Sequence, residues 1–312
     1  VGGGGVAGAL ARALWVGPGA RVTVWVRARW VDGAAWPGAA ALPAPRAPAV
    51  FQQSPASGGP GLRRWHSLSY LRATWRPLHG VWLGSEPTFA YYAERGGDFG
   101  YRTSDGGALE ERVMSAAAFL DEARRWHARR QQQQQQPALL EHGEHGGWQA
   151  PPSYLYCCHD LLALGDAAVE DVQPLQELAL PQAGETVEPL VWIGTEGAAA
   201  HAHFDTSHNV FVQLVGRKRW WLWPPAAHHA LQLFPSLHSA RRRSQHAAPH
   251  LAAAGRDVGM LQVTLEPGQV LYVPPYWVHQ TEAVGEVCIS VALWTASREQ
   301  RTAKQVSTMA LP

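Results

Sequence analysis

The chain has 312 residues with 26 Lys and Arg against 25 Asp and Glu, a net charge of +1, so no global field draws it to nucleic acid, anionic lipid or an acidic partner. It is 46% hydrophobic, with 15 Trp and only 16% charged residues, which is too apolar for a disordered protein and ample for a sizeable core. Cys157, Cys158 and Cys288 are too few for a disulfide framework, and no run of about 18 apolar residues exists to form a membrane helix. The cysteine usage fits a reducing compartment, so a globular protein of the cytoplasm or nucleus, with no membrane partner, is expected, while Val1 to Gly5 shows no signal-peptide pattern and leaves targeting open.

Residues 1–45 are rich in Ala, Gly and Pro, with one alternating run at 21–26 that reads as a strand. A domain is expected over 46–296, followed by a tail at 297–312. It opens with a short strand at 47–51, and Ser67 is placed to cap a helix carrying Leu68, Leu71 and Trp75 on one face. Residues 81–84 return as a strand. Ser115 then heads a helix from about Ala116 to Arg130 with Phe119, Leu120, Ala123 and Trp126 turned inward. The six glutamines at 131–136 are expected to end it and to begin a solvated loop insertion over 131–147, in which His142 and His145 sit among glycines.

From 189 to 294 the pattern changes to short β-rich runs at 190–193, 210–215, 219–223, 270–273 and 287–291, the spacing of a closed or two-sheet β architecture. Gly216 reads as a turn between two strands, and Pro267-Gly268 as the centre of a type II turn. An insertion at 226–260 has Arg241 to Arg243 as its only basic cluster. It is expected to be solvated, with a lip facing a substrate as the alternative.

The segment His201-Ala202-His203-Phe204-Asp205 precedes a strong strand, and alternate strand residues share a face, so His203 and Asp205 can offer a nitrogen and an oxygen to one ion. Such a pair is weak evidence alone. A third ligand, His279, follows a Pro-Gly turn, a strand and the rigid pair Pro274-Pro275. Two His and one carboxylate leave coordination positions open, as in the facial triad of non-haem Fe(II) oxygenases, whereas a structural zinc site would want four ligands.

On these residues, together with Trp192-Ile193-Gly194-Thr195, Val215-Gly216-Arg217-Lys218-Arg219 with Pro224-Pro225, and the run from Glu266 to His279, the chain resembles the JmjC family of Fe(II)- and 2-oxoglutarate-dependent oxygenases. Within that family it is similar to the cupin-like branch that includes the asparaginyl hydroxylase of hypoxia-inducible factor. The resemblance implies a mainly β fold, a double-stranded β-helix or jelly-roll with helical decoration on its N-terminal side. It implies Fe(II) on His203, Asp205 and His279, with 2-oxoglutarate and O2 as cosubstrates. Lys218 matches the cation for the distal carboxylate of 2-oxoglutarate, Tyr156 a tyrosine bonding the same carboxylate, and Asn209 an asparagine near its other end.

Two positions depart from the pattern: Ala200 stands where the family often has Thr or Ser, and Ala292 where the close hydroxylases have Asn. His201 and His208 are expected to pack or to face solvent, and Trp220, Trp221, Trp223 and Trp277 to belong to the β core. The implied function is a dioxygenase that hydroxylates a protein side chain. Histone lysine demethylation and modified-base tRNA hydroxylation are the alternatives within the family. A metal-binding cupin without turnover and a zinc hydrolase are the alternatives outside it, and Lys218 speaks against the hydrolase, which needs no cation for a keto acid.

Overall fold

The computed structural model describes residues 26–27, 29–30, 47–52, 58–93, 99–135, 154–180, 187, 189–246 and 259–301. Most of the alternating run at 21–26, and residues 136–147 with His142 and His145, lie outside the described residues. In chain order the elements are β1 (Val26–Arg27), β2 (Arg29–Trp30), β3 (Ala49–Phe51), α1 (Pro60–Trp65), α2 (Leu68–Thr74), β4 (Leu78–Gly84), β5 (Thr88–Ala93), β6 (Phe99–Arg102), β7 (Glu110–Met114) and α3 (Ala116–Gln135). They continue as β8 (Tyr154–Asp160), α4 (Leu161–Leu164), α5 (Asp166–Val172), β9 (Pro189–Thr195), β10 (Ala199–Phe204), β11 (His208–Trp223), β12 (Leu261–Leu265), β13 (Val270–Val273) and β14 (Val278–Thr295).

The fold is organised by two long strands, β11 and β14, which pair antiparallel from His208 opposite Thr295 to Trp223 opposite Val278. Each passes from one sheet to the other. Before the bend β11 pairs with β13, and the second half of β14 pairs with β9, which continues the sheet through β8 and β4. Beyond the bend β11 pairs with β12, while the first half of β14 pairs with β10, which reaches β5 and β6. Two facing, largely antiparallel sheets that share their long strands form the expected jelly-roll.

The expected hairpin at Gly216 is replaced by a bulged bend inside β11, with register shifts on both sides of Val215. Gly216 has φ +64°, and a Cβ there would run into the Val287 carbonyl, so the bend requires glycine. Buried Gln213 holds it from inside, donating through Nε2 to Val215 O at 2.7 Å and accepting from Ser290 Oγ at 2.8 Å. The Pro-Gly turn forms as read: Gly268 has φ +87° and Gln269 N donates to Glu266 O at 3.1 Å.

The helices cover the outer face of the first sheet. Trp65, Leu71, Phe119, Leu120 and Ala123 pack there against Val191, Ile193, Val210 and Val291, each large apolar side chain contributing about 1.5–3 kcal/mol on burial. Ser67 and Ser115 cap as expected, accepting from Tyr70 N at 3.3 Å and Ala118 N at 3.1 Å. The glutamine tract does not end α3 at Arg130. The helix runs on through Gln135, because unbranched glutamine loses little rotamer freedom in a helix. Inward-facing Phe211, Trp220, Leu222, Leu271 and Val273 form an apolar cluster inside the barrel, and Phe211 and Trp220 of this cluster also border the space that forms the site. No described helix is long and apolar enough to cross a membrane.

Candidate metal centre

The β10–β14 register sets His203 directly opposite His279, with ring centroids 4.5 Å apart. Asp205 lies just past the end of β10. Its carbonyl accepts from Tyr276 N at 2.7 Å, which ties this loop to the Pro274–Pro275 bend, and its Oδ2 stands 3.6 Å from His279 Nε2. One ligand atom from each of the three residues falls within 4.8 Å of the others, so the set could hold a metal ion.

Each imidazole is oriented by its own strand. His203 Nδ1 donates to His201 O at 2.6 Å and His279 Nδ1 to Trp277 O at 3.0 Å. A ring nitrogen facing a carbonyl must carry the proton, which leaves the Nε2 lone pair for an ion. Burial, with His203 adding to it, pushes His279 down to about 4, so its ring is neutral at physiological pH. Asp205 Oδ2 is buried with no hydrogen-bond partner among the described residues. An orphaned carboxylate oxygen beside two imidazoles that turn Nε2 toward it suits a cation, since alone it is costly to bury.

A cavity of about 550 Å³ opens over this group, with aromatic rings such as Phe89, Tyr101, Trp192 and Trp220 in its wall, and the other expected residues all line it. Lys218, in the half of β11 beyond the bend, is 4% exposed, and its Nζ lies 4.9 Å from the Phe211 ring centroid. Among the described residues no carboxylate lies within 4 Å of it, and burial lowers its pKa. Tyr156, on β8, stacks on Phe89 at 5.2 Å, and burial raises its hydroxyl well above the usual value, keeping it a neutral donor. Asn209 is buried on β11 with Oδ1 unpartnered among the described residues.

Several features of the cavity differ from the sequence expectation or go beyond it. Trp220, together with Trp192 and Trp294, belongs to the cavity wall, and the indole N–H groups of Trp220 and Trp294 have no partner among the described residues. Thr281 also lines the cavity. It is the Cα partner of Ala200 on one side and of Trp220 on the other, and the alternation His279-x-Thr281 was the signal for it. His201 is buried in the wall, held at about 4 by burial and the charge of Arg243, and so neutral. His208 instead bonds Tyr272 OH at 2.8 Å, away from the metal group. Arg241, Arg242 and Arg243 are not simply solvated: they line the cavity as a lip.

A family model described as a cupin-like domain matches residues 44–299. Human HSPB1-associated protein 1 is 33% identical over 133 residues, 38% of this chain and 25% of that protein. Lysine-specific demethylase JMJ31 of Arabidopsis thaliana is 30% identical over 112 residues, 34% of this chain and 20% of that protein. Jumonji C domain-containing protein 5 of Drosophila melanogaster is 28% identical over 141 residues, 44% of this chain and 35% of that protein. These matches span between a fifth and about a third of the relatives' own length. None of the three is named as an asparaginyl hydroxylase, so they support the JmjC type as a whole and not that branch. With the family match covering the barrel and every residue of the candidate centre, the chain belongs to the cupin-like domain family, of the JmjC type.

Proposed function

We propose that the chain is an Fe(II)- and 2-oxoglutarate-dependent dioxygenase that hydroxylates a protein side chain. The observation that carries this reading is Lys218, a buried ammonium without a carboxylate partner among the described residues, in the same cavity as a His-Asp-His group with an orphaned carboxylate oxygen. A cavity that already holds a cation and lacks its counter-charge suits a small dianion. The similarity to a named demethylase and a named Jumonji C protein supports the family chemistry.

In this reading His203 and His279 give their Nε2 lone pairs, and Asp205 a carboxylate oxygen, to Fe(II). When bound, Fe(II) with 2-oxoglutarate and O2 supplies oxidative decarboxylation, one oxygen atom entering succinate as CO2 leaves and the other entering a substrate C–H bond. Lys218 pairs with the distal carboxylate of the keto acid, and Tyr156 donates its neutral hydroxyl to the same group. Asn209 bonds nearer the metal end. The departure at Ala200 is offset by Thr281, whose hydroxyl stands on the neighbouring strand opposite that alanine. The aromatic walls exclude water from the reacting volume. Ala292 is buried in the apolar cluster that borders the cavity, where its methyl group offers a cosubstrate no hydrogen bond.

The reading is tested by measuring succinate from 2-oxoglutarate with Fe(II) and O2, with and without nuclear or cytosolic extract. Succinate formation that rises with extract, accompanied by a 16 Da gain on a protein in it, is the expected result. Metal binding with no succinate under any of these conditions would make the chain a cupin without turnover.

A further inference from the structure

The described part of the insertion, residues 226–246, brings two arginines without a carboxylate partner among the described residues to the outer end of the cavity. Arg241 and Arg242 are exposed and line the cavity that holds His203 and Asp205, and among the described residues no carboxylate lies within 4 Å of either guanidinium. They do not hang from a loose loop. Phe204 N donates to Arg242 O at 3.1 Å, Arg243 bridges to His203 through the backbone, and Ser244 N donates to Ala202 O at 2.9 Å, so the segment is fixed along β10.

Arg243 is the anchor. Its buried guanidinium lies 4.2 Å from the Tyr92 ring centroid, and it donates to Tyr92 OH and, at 3.2 Å, to Ser104 O. Arg242 has φ 67°, a left-handed conformation that a non-glycine residue keeps only where its surroundings impose it. The lip therefore presents two guanidiniums at a set position beside the strand that carries His203.

Neither guanidinium is needed for the reaction centre, where Lys218 already supplies the buried cation. A guanidinium without a partner at a cavity mouth favours a carboxylate, which it grips through two parallel N–H groups. Nucleic acid is the less suitable anion, since its affinity grows with the number of phosphates neutralised, and a chain of net charge +1 with a two-residue cluster offers few contacts.

We propose that Arg241 and Arg242 form a subsite for the acidic side chains of a polypeptide substrate, an Asp or Glu lying next to the residue that enters the cavity; this deepens, and rests on, the oxygenase reading above. The subsite selects substrate. It takes no part in the chemical step.

The test is fluorescence anisotropy of the full chain loaded with Mn(II) and 2-oxoglutarate, using four labelled probes: a short glutamate-rich peptide, its glutamine and lysine counterparts, and a single-stranded oligonucleotide of charge equal to the glutamate peptide's. The glutamate peptide should bind more tightly than the glutamine peptide. Arg241→Ala with Arg242→Ala should weaken it about ten-fold, as two exposed charge contacts would, and Arg241→Lys with Arg242→Lys should restore part of the loss. Arg241→Glu with Arg242→Glu should bind a lysine-rich peptide in preference, a swap that a misfolded variant cannot produce. Equal binding of the two peptides, or a glutamate affinity unmoved by charge reversal, overturns the subsite. An oligonucleotide that binds as tightly and responds equally to the variants overturns it in favour of nucleic acid. Anisotropy does not depend on turnover, so an absence of succinate in the wild type would sink the oxygenase reading separately from the peptide result.

Discussion

His203 and His279 are bound in the same way to their own strands: each donates Nδ1–H to the carbonyl two residues earlier, His201 O at 2.6 Å and Trp277 O at 3.0 Å, while their Cα atoms pair across β10 and β14. The two Nε2 atoms are thereby presented before any ion arrives. A site built in advance loses little on binding, so metal affinity should depend on the ligands and not on refolding.

Metal should therefore raise the melting temperature of the wild type, with about 2.7 kcal/mol of stabilisation at a hundred-fold excess over Kd. His203→Ala and Asp205→Ala should lose that shift and all turnover while their circular dichroism is unchanged. Asp205→Asn should melt higher than the wild type when both are metal-free, because it removes a carboxylate whose Oδ2 is buried and unpaired. Differential scanning fluorimetry with Mn(II) reads all three, and retained turnover in both alanine variants would remove these residues from the centre.

Gly216→Ala should cost more than about 2 kcal/mol, since it adds both a left-handed alanine and a collision with the Val287 carbonyl. The bend lies two residues before Lys218, so the variant should also weaken 2-oxoglutarate binding. Urea denaturation measures the first effect and calorimetric titration the second. A wild-type midpoint would mean that β11 tolerates a Cβ at the bend.

The strand runs at 190–193, 210–215, 219–223, 270–273 and 287–291 and the inward faces of α2 and α3 are legible because burial follows the element's own period, and Ser67 and Ser115 mark the helix starts for the same local reason, whereas β5, β6, β7 and β12 are not read from the sequence. Gly216 was misread because a positive-φ glycine serves a hairpin and a bulge equally well, and only the continuous pairing of β11 with β14 separates them. The alternation His279-x-Thr281 turns Thr281 to the face of the metal ligand, but its place opposite Ala200 follows only from the β10–β14 register. His203 and Asp205 meet at the centre, yet simple alternation is an incomplete reason: β10 is bulged between Ala200 and His203, and Asp205 lies past its end. The arginine lip depended on where an insertion folds back, which no periodicity encodes.

Gln131 to Gln135 form the exposed end of α3. Gln131 bonds His127 Nε2 at 2.8 Å in an exposed position, so replacing Gln131 to Gln135 with alanine should shift stability by less than about 1 kcal/mol. Turnover should be unchanged, and deletion of 131–136 should behave alike. A large loss of succinate formation in either variant would make the tract part of the working enzyme.

Lys218 also sets a pH dependence. Burial lowers its folded-state pKa below the ordinary 10.5, so between the lowered value and 10.5 the unfolded chain binds more protons, and stability rises with pH across that window. Below the folded pKa the charged amine weighs against the ligand-free fold throughout. Lys218→Met should accordingly stabilise the ligand-free protein, by on the order of 1–4 kcal/mol, and flatten this rise. Thermal melts over pH 7 to 10 give the result, and a Lys218→Met variant less stable at every pH would show that the ammonium has a partner in the fold.

Titration of 2-oxoglutarate into wild type and Lys218→Ala, both loaded with Mn(II), separates an oxygenase from a bare metal-binding cupin most directly. Removing one partner of a buried charge pair costs about 3–5 kcal/mol, so the variant should bind 2-oxoglutarate roughly 100-fold or more weakly while its Mn(II) affinity stays nearly unchanged. Lys218→Arg should recover only part of the loss, because a planar fork does not replace a compact ammonium in a closed pocket. Equal 2-oxoglutarate affinity in wild type and Lys218→Ala would contradict the assignment of this cavity to the keto acid.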